Sequence, residues 1–188
     1  MIVIFYFKKI FMSEDQKKQL EQQLRNIANT LRGKMDADEF RDYILGFIFY
    51  KYLSERMHIY ANKLLSEDGI DFNDIDENTQ EWKDMLEAIK SESLDKLWYF
   101  LKPSELFHAS DLRGWDKGHE NNFILEDLTR ILNSVEQSTM WTESEDDFHH
   151  LFEDLDLWST KLGRTEVAKN EQISKVPKHL DQKNLQLQ

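Results

Sequence analysis

The stretch from Gly33 to Glu55, G-K-M-D-A-D-E-F-R-D-Y-I-L-G-F-I-F-Y-K-Y-L-S-E, constrains this chain more than any other. It begins with the pattern of an amphipathic helix and becomes apolar almost all round between Tyr43 and Leu53. A helix of that kind cannot face water, so it must be the buried centre of a helical domain. Asp36 is placed to cap its N-terminus, with Glu39 three residues on reaching back as in a capping box. Phe40, Tyr43, Ile44, Phe47, Ile48 and Lys51 recur at three- and four-residue spacing, the lysine stem extending the apolar stripe.

The rest of the chain is built to surround that helix. The spacing predicts a first helix over Ser13 to Leu31 with Leu20, Leu24, Ile27, Ala28 and Leu31 on one face, and Gly33 as its stop. The central helix runs from Ala37 to Leu65, followed by an acidic loop from Asp71 to Asn78. Thr79 caps a helix carrying Trp82, Met85, Leu86 and Ile89, and Ser93 is a candidate cap for a further one with Leu94, Leu97, Trp98 and Leu101 inward. Pro103 ends that helix or starts a short turn from Ser104 to Leu112. Amphipathic helices are expected over Asn121 to Gln137, after Ser144, and from Thr165 to Lys175. Period-two alternation is missing, and the 6 glycines and 2 prolines argue against a turn-rich β fold. The expected class is all-α, a multi-helix globular domain around a long buried central helix.

Composition narrows the chemistry. With 40% hydrophobic and 12% aromatic residues, the 188-residue chain can bury one sizeable core. It has no cysteine, which excludes disulfides, thiolate metal sites and a cysteine nucleophile, and suits a reducing, cytoplasmic setting. No apolar run is long enough to span a bilayer. In Met1 to Phe11 the lysines follow the apolar run and no small-residue cleavage site appears, unlike a secretory signal. Met12 opens an ordinary helix start, so residues 1–11 are read as a start-site artefact outside the fold.

The net charge of −12 is unevenly spread. Residues 1–65 hold 11 basic and 8 acidic side chains, residues 66–160 hold 7 and 25, and residues 161–188 hold 6 and 3. An acidic middle repels the DNA backbone, so phosphate contact is expected from the flanks. Arg25, Arg32, Lys34 and Arg41 gather around the first helix junction, and Lys161, Arg164 and Lys169 around L-G-R-T. These seven are the candidate DNA or partner contacts; as plain solvated faces they would look the same. His149-His150 with Glu153 and Asp154 gives histidine–carboxylate pairs four apart on a helix, but no third ligand is indicated and no metal site is assigned. His108 and His119 are assigned no role, and Trp115 and Trp141, in loop-like settings, are expected to pack as core or lid, with interface anchoring the alternative.

The wording of Leu24 to Glu55, together with Phe148 to Leu157 and L-G-R-T at Leu162 to Thr165, resembles the N-terminal helical domain of the modification subunit of type I restriction–modification systems. The resemblance covers the chain from Met12 to about Ser174. It implies a helical domain over residues 12–176, with 177–188 an atypical polar tail, because Pro177 falls where the family continues as a helix. It also implies partners: a second modification subunit, a specificity subunit that reads the sequence, a restriction subunit, and DNA through the assembled complex. The complete subunit uses S-adenosylmethionine to methylate adenine.

That chemistry requires an Asn/Asp-Pro-Pro-aromatic motif to hold the flipped base, and a glycine-rich strand-to-helix loop for the cofactor. Pro103 and Pro177 are not adjacent, and no G-x-G occurs. No catalytic, cofactor-binding or metal-ligating residue is therefore assigned, and this chain alone is expected to be inactive. Its implied role is contact between modification subunits and with DNA. The alternative is a stand-alone helical module that binds modification or specificity subunits without catalysis.

Overall fold

The computed structural model describes residues 14–31, 37–107, 124–140, 145–148, 152 and 155–180. Among them the order is α1 (Glu14–Leu31), α2 (Ala37–Leu64), α3 (Gln80–Leu97), α4 (Ile124–Ser138), the short α5 (Glu145–Phe148) and α6 (Glu166–Leu180). Single 3-10 turns lie at Leu65–Glu67, Phe72–Asp74 and Pro103–Glu105. The described residues contain no strand, and the fold is all-α as expected.

The 28-residue α2 is the axis of the domain. Tyr43, Ile44, Phe47, Ile48, Phe49, Tyr50, Leu53 and Met57 are all buried, which covers every side of the helix over two turns. α1, α3 and α6 all pack on it, and α6 also packs on α1 and α4. Gly46 lets a neighbour approach closely: a Cβ there would lie 3.0 Å from Leu155 Cδ2. Lys51 is inside rather than at the edge, paired with Glu55 at 2.6 Å and lying 5.3 Å from the centre of the Phe107 ring.

The connections are braced by side chains from distant elements. Tyr50 Oη donates to the Glu105 carbonyl at 2.6 Å, and Tyr99 Oη to the Leu53 carbonyl at 2.8 Å. Burial pushes the Tyr99 phenol well above its ordinary pKa. The start of α4 is satisfied from α6, where Asn170 Oδ1 accepts from the Leu125 amide at 3.0 Å. In the acidic loop Asn62 Oδ1 accepts from Phe72 N at 2.7 Å, and Asp71 accepts from Asn73 N at 2.8 Å. That backbone bond chiefly holds the Asp71 carboxyl below its ordinary pKa, with His58 adding to it. The contribution is in place above the ordinary value of 3.8 and is lost as the pH falls through the lowered one.

Four expectations need correction. Trp98, expected to face inward, is 46% exposed. Ser93 does not begin a helix; it sits inside a continuous α3, fully buried, and its hydroxyl donates back to the Ile89 carbonyl at 2.6 Å. Thr79 does occupy the N-cap position of α3, but its side chain donates to the Asp76 carbonyl instead of capping. Finally, α6 does not stop near Lys175 but runs through Pro177 to Leu180. An interior proline costs roughly 3 kcal/mol, while burying a Val or Leu side chain yields about 1.5–3 kcal/mol. Val176 is 1% exposed and Leu180 fully buried, so packing of the last turn offsets the proline. The helix after Ser144 is described as Glu145–Phe148. Asp36 and Gly33 lie outside the described residues.

Candidate interaction surfaces

The first and last helices pack against each other although far apart in sequence. On α1, Leu24 and Ile27 face the core and Arg25, between them, is exposed. Arg32 and Lys34 lie outside the described residues, and Arg41 lies on α2 with its side chain outside them.

At the other flank the L-G-R-T words have a structural reason. Leu162 is 2% exposed and anchors the turn. Gly163 lies where a Cβ would stand 2.6 Å from Ala168 Cβ and 3.0 Å from its carbonyl carbon. Thr165 Oγ1 accepts from Ala168 N at 3.3 Å and so caps α6. This leaves Arg164, like Lys161, exposed to solvent. Lys169 differs from them: its Nζ donates to the Trp158 carbonyl at 2.6 Å and lies 5.6 Å from that ring's centre. Its charge braces the loop before α6.

Gly163→Ala is expected to destabilise the domain by about 1–3 kcal/mol, because the added methyl group meets another Cβ and backbone rather than a flexible side-chain end. Urea denaturation of the two proteins checks it; unchanged midpoints would mean that the turn is not packed in this way.

Sequence reasoning missed a second feature, the buried carboxylate of Glu105. It is 2% exposed and accepts from Arg130 Nη1 at 3.0 Å, from the Lys102 amide at 3.0 Å and from Ser134 Oγ at 3.4 Å. Through these contacts it ties the Pro103–Glu105 turn to α4. Proline at the first position with Glu two residues on was the available signal. Nearby, a groove of about 650 Å³ between α3 and α4 is lined by Lys83, Lys90 and Lys102 but also by Glu77 and Glu87. Its mixed sign selects no ligand charge.

His149, His150, Glu153, Asp154, His108, His119, Trp115 and Trp141 all fall outside the described residues as far as their side chains are concerned. Among the described residues no three His, Asp or Glu side chains are grouped to hold a metal, and no helix is long and apolar enough to cross a membrane.

The fold and its surfaces define an all-α domain built round one buried helix, with Arg25 exposed on α1 and Lys161 and Arg164 exposed before α6. The chain belongs to the family of HsdM N-terminal domains, whose family model matches residues 20–180. It is 29% identical over 171 residues to the type I restriction enzyme MpnII methylase subunit of Mycoplasma pneumoniae, a match covering 89% of this chain and 31% of that protein. It is also similar to the crystal structure of the type I restriction-modification system methyltransferase subunit from Streptococcus thermophilus. There the TM-score is 0.65 at 33% identity, over 87% of this chain and 33% of that one. The chain thus spans about a third of the length of these relatives.

Proposed function

We propose that this domain serves assembly: it joins modification subunits to one another and to the DNA they enclose, and performs no chemistry itself. The observation that carries this reading is the packing of α1, on which Arg25 is exposed, against α6, which Arg164, also exposed, precedes by two residues. Residues 66–160 hold 7 basic and 25 acidic side chains, a balance that disfavours phosphate contact. The partners are a second modification subunit, a specificity subunit that reads the bases, and a restriction subunit. S-adenosylmethionine is handled outside these residues, in the part of the relatives that this chain does not span.

Phosphate contacts position a protein on DNA without reading its sequence. Arg25→Glu and Arg164→Glu in the assembled methylase should therefore weaken binding to a cognate and a random duplex by the same factor. Each should lower the salt slope by about one. Fluorescence anisotropy at two salt concentrations measures both quantities. A loss confined to the cognate duplex would assign these arginines to base reading and contradict the proposal.

A further inference from the structure

Trp98 follows the last residue of α3 with φ 72°, the left-handed conformation in which a helix usually places glycine. A bulky side chain is rarely found there. Deep burial of the indole would account for it, but the residue is 46% exposed. It stands at the rim of a pocket of about 130 Å³ between α2, α5 and the end of α3, walled by Phe49, Tyr52 and Phe148. The charged residues lining this pocket are Arg56 and Lys96, with no carboxylate among the described residues. Arg56 lies 5.8 Å from the centre of the Tyr52 ring and its Nη1 donates to the Tyr52 hydroxyl at 3.2 Å. No carboxylate among the described residues is within ion-pair distance of it. Lys96 is paired with its chain neighbour Asp95 at 2.8 Å.

Among the described residues the charged side chains lining this aromatic pocket are both cations, on a chain of net charge −12. Exposed Trp, Tyr and Arg are also the residue types that dominate the energetics of protein interfaces. We propose that this pocket docks a segment of a partner protein in which an apolar side chain stands beside a carboxylate. The apolar group enters against Phe49 and Phe148 under the Trp98 indole, and the carboxylate meets Arg56. Stacked nucleotides would use the same rings and cations, but Glu92 and Asp95, exposed on the adjoining turn of α3, repel a chain with a phosphate on every unit more than a segment with a single carboxylate. The assembly reading supplies the source of the partner, another subunit of the complex; the site itself rests on the geometry.

The test is a titration of this chain, followed by the Trp98 indole N–H resonance, which Trp98→Gly identifies. The probes are an acetylated and amidated Ser-Phe-Asp-Gly peptide, the same peptide with Ala in place of Phe, and single-stranded oligothymidylate. Saturable movement with the Phe peptide is expected, weakened at least about tenfold by Arg56→Glu, as for reversal of an interface charge. The Ala peptide should bind as weakly. Trp98→Gly should keep or raise the melting temperature, since glycine suits the left-handed position, and should lose peptide binding, read then from neighbouring amides. No movement, equal movement with the Ala peptide, indifference to Arg56→Glu, a stronger response to oligothymidylate, or unfolding of Trp98→Gly would each overturn the proposal. The peptide titration and the duplex measurements on Arg25 and Arg164 fail independently.

Discussion

Phe47→Asp is expected to abolish cooperative folding. Phe47 is 1% exposed in the middle of a helix with buried residues on every side, so the new carboxylate would have neither water nor a cation. Even after relaxation, an unpaired buried charge costs several kcal/mol. The whole stability of a domain is about 5–15 kcal/mol. The variant should be insoluble or lack a thermal transition in circular dichroism. Asp74→Lys, an exposed change in the acidic loop, should melt with the parent. If both variants melt with the parent, α2 is not the core.

Leu180→Ala should destabilise by about 2–5 kcal/mol, as for other fully buried leucines. This change probes the last turn of α6, beyond Pro177, and its size depends on that turn being packed. The midpoint of chemical denaturation measures it. A change below about 0.5 kcal/mol, the range of surface substitutions, would mean that the helix ends before the proline.

These two residues also mark what the amino-acid sequence reveals and what it conceals. Burial of α2 was legible because an all-round apolar helix has only one environment open to it. The end of α6 was not, since a proline reads locally as a break and the burial that outweighs it comes from other helices. Ser93 misled for a related reason: a serine hydroxyl that caps a helix and one that bonds back to the Ile89 carbonyl look alike in sequence. Glu105 was hidden because its arginine partner lies 25 residues away on α4. For the candidate contacts, sequence located the positive flanks but could not show that α1 and α6 pack together. Nor could it show that Lys169 is already engaged by Trp158 while Arg164 is exposed.

The central claim is that this domain holds DNA only as a charged surface within an assembly. Fluorescence anisotropy of the isolated chain against a cognate and a random duplex, at two salt concentrations, tests it most directly. The account predicts equal, weak binding to both duplexes, with dissociation constants no tighter than about 1 μM and a steep loss with salt, as phosphate-only contact requires. Tight binding that prefers the cognate duplex and persists at high salt would contradict it.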